Sequence, residues 1–259
     1  MTRTTKTFLK AAFVFALIGS AFCIAGFCMG FTVKSFRGAV NSGTVELVSS
    51  SGTGDWITDM AGGKADFRRT FSDVKSLDLE LGAAECTIFE GEGEDWEIEG
   101  YNFPSGFTCE MDGKKLEISG TDKSWLSIGA GNHAQLEIYM PAGQKLDKVE
   151  IDTGVGSIVS DAMFSCKELE VSCGVGSCDL WADVSKKVEI EGGVGEVNLL
   201  LAGKAKDFNY DLECGIGDVT VGDMSFGGIA SDHKMNNNAE KSIKAECGVG
   251  SVSVSFEEE

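Results

Sequence analysis

The sequence predicts an all-β chain: a parallel β-solenoid, or β-helix, of about 20-residue rungs with a partly antiparallel leading segment, preceded by one N-terminal transmembrane helix. Three observations carry this. The first is a phrase that returns as VEIDTGVGSI from Val149, LEVSCGVGSC from Leu169, VEIEGGVGEV from Val188, DLECGIGDVT from Asp211 and KAECGVGSVS from Lys244. The second is strict apolar–polar alternation before each Gly-x-Gly. The third is an uncharged, mostly apolar run from Ala11 to Val33.

Aligned on their glycines, the phrases give three inward columns. These are Leu77, Val149, Leu169, Val188, Tyr210 and Ile243; then Leu79, Ile151, Val171, Ile190, Leu212 and Ala245; then Leu81, Thr153, Cys173, Gly192, Cys214 and Cys247. Beyond the turn, Ile158, Cys178, Val197, Val219 and Val252 form another. Acids dominate the alternate positions, among them Asp78, Glu80, Glu150, Asp152, Glu189, Glu191, Asp211 and Glu213. One phrase cannot bury its apolar side alone, so copies must stack, about 4.8 Å apart. Glycine lets the chain turn sharply between sheet faces. Proline occurs only at Pro104 and Pro141, outside the repeats, as strand pairing requires. The polar stretch from Ser231 to Ser242 reads as a surface loop thrown out of one rung.

Ahead of the repeats, Thr108 to Ser119 reads as a hairpin turning at Asp112-Gly113, and Gln135 to Gly143 as a strand ended by Pro141. This part is expected to be antiparallel or mixed and to cap the stack.

The domain division follows from charge and composition. Residues 1–37 are the signal anchor, with Arg3, Lys6 and Lys10 before the apolar run favouring a cytoplasmic amino terminus. A cleaved signal peptide is the rival, but no small-x-small site ends the run. Lipoprotein processing at Cys23 or Cys28 is disfavoured by Phe22 and Phe27. Residues 38–65 are Gly/Ser/Thr-rich and read as a flexible tether reaching roughly 30 Å, unless Trp56, Ile57 and Met60 dock. Residues 66–259 are the β-repeat domain. The first 45 residues contain no acid, so all 41 acids face the remaining 17 of 22 basic residues, a net −24. That charge repels nucleic acid, which is excluded as a partner, and anionic head groups.

The run FSDVKSLDLELGAAECTIFEGEGEDWEIEG, then GKKLEIS, then LEIYMPAGQKLDKVEIDTGVGSI and the repeated GVG strands resemble the bacterial putative-adhesin family of membrane-anchored β-strand-repeat domains, from about Asp66 onward. The resemblance implies an envelope-associated, non-enzymatic protein at the outer side of a cytoplasmic membrane. It transfers no catalytic, cofactor-binding or metal-binding residue.

The residues themselves agree with that blank. There is no CxxC pair, and His133 and His233 are the only histidines, so no zinc site and no triad emerges. Cys173, Cys178, Cys214 and Cys247 share the inward parity of Val and Ile and read as buried apolar residues. Cys173 is expected to stay a free thiol, one rung too far from Cys214, whereas Cys214 and Cys247 can reach each other if their rungs are adjacent. The Gly-x-Gly pairs lack the context of a phosphate loop. Gly215 to Asp223 lacks the nine-residue period of calcium β-rolls. Asp211 and Glu213 read as a solvated face before a glycosidase pair. Trp96, Trp125 and Trp181 are either a binding surface or plugs of the solenoid.

The expected role is interaction or scaffolding, adhesin-like, with an envelope protein or polysaccharide of unspecified identity. A regulatory or sensory ectodomain is the alternative within that class, and a carbohydrate-active β-helix enzyme the alternative of another. The carboxy-terminal rung, Val252 to Phe256, reads as an uncapped edge through which copies can self-associate.

Overall fold

Every member of the first two predicted columns is buried, from Leu77 and Leu79 through Ile243 and Ala245, and so is the column beyond the turn. Alternation thus sorts the side chains, and stacking the sorted strands builds one continuous core. The computed structural model describes residues 56–57, 64–104, 107–120 and 134–257. The anchor expected over 1–37 lies outside them. Among the described residues no helix is long and apolar enough to cross a membrane.

The rungs are long strands that bend at their glycines. β3 (Ser76–Gly91) and β8 (Lys145–Ser160) are one rung each, β9 (Phe164–Ala202) is two, and β10 (Phe208–Val221) and β12 (Lys241–Glu257) complete the set. All pair in parallel, Leu79 beside Ile151 and Ile151 beside Val171. Corner glycines stack on corner glycines: a Cβ on Gly174 would come 2.6 Å from the carbonyl oxygen of Gly154, and one on Gly248 2.7 Å from that of Gly193. Only a residue without Cβ lets the rungs close to sheet distance there.

The leading segment is mixed, as expected. β6 (Lys115–Gly120) and β7 (Gln135–Pro141) lie parallel to the first and second halves of β3. β5 (Thr108–Asp112) is antiparallel to β6, while β2 (Lys64–Phe71) and β4 (Trp96–Pro104) extend the other side antiparallel. The hairpin turns one residue later than its sequence suggests: Asp112 pairs with Lys115, and Gly113, at φ +62°, opens the turn. β1 (Trp56–Ile57) pairs with β2, so strand pairing reaches into the 38–65 segment, whose remainder up to residue 63 lies outside the described residues. Phe67, Phe103 and Phe107 cluster at this end, with ring centroids 4.3 to 5.5 Å apart.

Three expectations are corrected. The carboxy-terminal rung is not an edge: β12 lies between β9 and β10, in register with β9 over 15 positions and with β10 over 13. The sheet instead ends at β11 (Met224–Met235), antiparallel to β10. Ser231–Met235 therefore belongs to a strand, and the loop shrinks to residues 236–240, because the polar edge of a hairpin gains strand structure from its neighbour. Finally, Cys173 and Cys214 are separated by two rungs, those of Gly192 and Cys247.

Thr153 is the one buried polar residue among the described residues, and its Oγ1 has no hydrogen-bond partner there. It occupies the third inward column between Leu81 and Cys173. An unpaired buried hydroxyl is a net cost, so Thr153→Val should stabilise the domain by about 1 kcal/mol. Urea denaturation measures the change; a loss of stability would mean the hydroxyl is satisfied after all.

Candidate interaction surface

Parallel, in-register stacking turns each outward strand position into a column running across the stacked strands. The column nearest the start of each phrase reads, in spatial order, Glu117, Asp78, Glu150, Glu170, Glu189, Lys244, Asp211 and Lys234. Like charges side by side in a sheet repel, and here lysines offset them. Lys115 bridges Asp78 (3.0 Å) and Glu117 (2.5 Å), and Lys148 bridges Glu150 (2.9 Å) and Glu170 (2.7 Å). Lys187 pairs with Glu189 and Lys234 with Asp211.

Two residues on, next to the corner, the column reads Ser119, Glu80, Asp152, Ser172, Glu191, Glu246, Glu213 and Asp232. Lys244 reaches Glu246 at 2.6 Å, and the Ser119 hydroxyl donates to Glu80. Among the described residues, Asp152, Glu191 and Glu213 make no ion pair. Partial desolvation in the crowded sheet face, followed by the charges of Glu150 and Asp78, pushes the carboxyl of Asp152 above its ordinary value, although the residue as a whole is exposed. A raised carboxyl binds its proton more tightly folded than unfolded. Its unfavourable contribution is therefore present above the folded pKa and relieved as pH falls through it. Asp152→Asn should therefore raise Tm at pH 7, and the gap between variant and parent should shrink as pH falls through the folded pKa of this carboxyl. Melting curves across pH check both; an unchanged profile in the variant would remove Asp152 as a source.

Between this column and the next outward one lies a ridge that sequence reasoning missed. The middle residues of the Gly-x-Gly corners stack in the order Ala83, Val155, Val175, Val194, Val249 and Ile216. Four of the six are exposed, Val155 at 49%, Val175 at 42%, Val194 at 36% and Ile216 at 38%, while Val249 is half-buried and Ala83 packs partly against the core. The signal was available, since every repeated corner carries a β-branched apolar residue where a turn needs none. Across the ridge the column is Glu85, Ser157, Ser177, Glu196, Ser251 and Asp218.

The other residues singled out by sequence resolve differently. Asp211, Glu213 and Asp232 bring one oxygen each within 4.8 Å of one another, but the Lys234 ammonium already sits 2.5 Å from Asp211. Gly215 to Asp223 is β10 and the start of its turn into β11. Trp96 is a plug, 1% exposed, with Nε1–H donating to Gln144 at 2.6 Å. Trp181 is half-buried on β9, and His233 stacks on Phe226 at 4.2 Å. Trp125 and His133 lie outside the described residues.

All seven cysteines beyond the amino-terminal segment are free and buried. Cys214 and Cys247 are direct partners on adjacent strands. Burial pushes Cys109, Cys166 and Cys247 up to about 12. At pH 8 the folded protein holds almost no thiolate at these positions. Iodoacetamide should therefore modify them only after unfolding, which peptide mass spectrometry with and without urea reads directly. Rapid labelling of native protein would show that the core opens.

A profile of the Toastrack DUF4097 family matches residues 74–259. Among solved structures, the chain is similar to a putative cell adhesion protein from Clostridium sporogenes, with 18% identity, 80% of this chain and 100% of that one covered, and a TM-score of 0.46. It is also similar to a putative adhesin from Bacteroides fragilis, with 12% identity, 73% and 96% coverage, and a TM-score of 0.33. A putative lipid binding protein from Parabacteroides distasonis aligns at 13% identity, 74% and 97% coverage, and a TM-score of 0.24. No curated protein matches the chain.

Proposed function

The chain belongs to the Toastrack DUF4097 family, and from that premise we propose that it is a non-enzymatic, membrane-anchored interaction protein of the bacterial cell envelope. The apolar run Ala11 to Val33 supports anchoring, and the basic residues before it support an extracytoplasmic β domain. One observation carries the interaction reading. The solenoid presents a long, regular surface on which a carboxylate column without full lysine compensation runs beside exposed valines. Such a surface stores unfavourable contacts that a partner can relieve, and solenoids present extended faces for binding.

The test uses the full chain in intact cells. Protease should remove a carboxy-terminal tag without lysis. Photo-crosslinkers placed singly at exposed positions such as Lys167, Glu191, Glu196 and Lys234 should yield discrete crosslinked species at some positions and not others. Protection of the tag until lysis overturns the placement. Absence of any discrete crosslink at every position overturns the interaction role.

A further inference from the structure

We propose that the valine ridge and the two columns flanking it form a docking track for an extended, basic segment of a partner protein, one in which apolar side chains alternate with lysine or arginine. This rests on the interaction reading above and gives it a site and a partner chemistry.

The ridge fixes the apolar half of the partner. Six corner residues in line, about 4.8 Å apart, make a strip on the order of 24 Å long, matched by about seven residues of extended chain. Stacking covers part of each side chain but leaves Val155, Val175, Val194 and Ile216 between 36% and 49% exposed. A corner facing only water is served equally by Ser or Thr, and the structure uses serine one step away at Ser157, Ser177 and Ser251. A contiguous exposed apolar strip rimmed by polar residues is the signature of a binding site.

The rims fix the charged half. The rim before the corner holds Asp152, Glu191, Glu246 and Glu213; the rim after it holds Glu196 and Asp218. Neither rim nor ridge contains Lys, Arg or His. The lysines cluster instead on the farther column, and Lys244 also reaches the rim residue Glu246. Glu191, Glu246 and Glu213 are adjacent in the sheet, an in-register run of three carboxylates. Like charges opposed in this way are unfavourable, and a cation aligned with them relieves the cost.

The same charges decide the occupant. A second copy would bring its own acidic rims against these, and anionic lipid or nucleic acid would be repelled. A neutral apolar partner would cover the valines and bury uncompensated carboxylates, which is costly. A basic segment with interleaved apolar residues satisfies both halves at once.

The experiment measures fluorescence anisotropy of a labelled ten-residue peptide alternating Lys and Val, titrated with the full chain in a zwitterionic detergent. Peptides alternating Lys with Ser and Glu with Val are controls. The Lys–Val peptide should bind saturably, weaken steeply between 50 and 300 mM salt as charge-driven contacts do, and exceed the Lys–Ser peptide at least tenfold. Val175→Ser/Val194→Ser/Val249→Ser should reduce affinity at least tenfold, and Glu191→Gln/Glu213→Gln should flatten the salt dependence. If the triple variant does not fold, Val175→Thr and Val194→Thr, near-isosteric, carry the same readout. Failure of the Lys–Val peptide to bind at 50 mM salt overturns the proposal, as does equal binding of Lys–Ser, unchanged affinity in the ridge variants, or concentration-dependent dimerisation lost in them. Discrete in-cell crosslinks away from the corner, combined with no peptide binding, would remove this track and leave the interaction role standing. No crosslink anywhere would remove both.

Discussion

Gly176→Ala should destabilise the domain by about 3–5 kcal/mol, against about 1 kcal/mol for Gly113→Ala. Gly176 has φ +145°, a conformation that side chains avoid, and its missing Cβ points at the main chain of the rung beside it. An added methyl would land on the carbonyl oxygen of Gly156. That oxygen belongs to a strand held on both sides, so it cannot retreat without breaking ladder bonds. Gly195, Gly217 and Gly250 repeat the arrangement at φ +147° and +141°. Gly113 is the control: its φ is +62°, and nothing lies within 4 Å of the position a Cβ would take. At the first rung the equivalent residue is Ala84, partner of Gly156, and it is not among the residues with positive φ. Urea denaturation of both variants decides the matter. Equal costs would mean that the corner relaxes and that stacking does not enforce glycine.

Deleting residues 241–259 should unfold far more than the deleted rung. In a linear repeat array, removing an end unit costs roughly that unit and one interface. Here β12 is an inner rung, so its loss strips β10 of a 13-position parallel neighbour and leaves the β10–β11 hairpin alone. A two-stranded hairpin is marginal in water. Hydrogen exchange should therefore show residues 208–235 unprotected in the truncated chain while 145–202 stay protected. The urea m-value should fall by roughly a quarter, in proportion to the surface leaving the cooperative unit. Retained protection over 208–235 would show that β10 can close directly onto β9.

The inward columns were legible because period-2 alternation states which residues face the core, and Leu79, Ile151 and Ile190 are all buried as that pattern demands. The spatial order of the rungs was not. Ile243-x-Ala245-x-Cys247 and Tyr210-x-Leu212-x-Cys214 satisfy the same pattern, so alternation cannot say which follows Val188. Volume helps to decide it: Gly192 leaves a gap that Val252 of β12 leans over, its Cγ2 3.3 Å from where a Cβ would lie. The bulkier Tyr210 sits in the last parallel rung, where its hydroxyl donates to the Ala205 carbonyl of a short 3-10 turn. β11 was hidden for another reason. Its second half, Ser231–Lys234, is polar and its middle carries Gly227-Gly228, so its strand character comes from eleven pairings with β10 rather than from its own composition. The ridge was visible as valine in the corners, but exposure is a property of the stack, and no single repeat reveals it.

The inner position of β12 also orders the making of the protein. As the chain emerges from the ribosome, the rungs from β3 to β9 can close one upon the next, each using a neighbour already present. β10 and β11 then appear with no permanent place to dock, because their seat is a strand not yet synthesised. Only the final seventeen-residue strand, Lys241–Glu257, joins the two parts. A chain that stops before β12 therefore displays the open edge of β9 and a loose hairpin, and β12 covers both edges once it is made. Synthesis of β12 and closure of the fold become the same event.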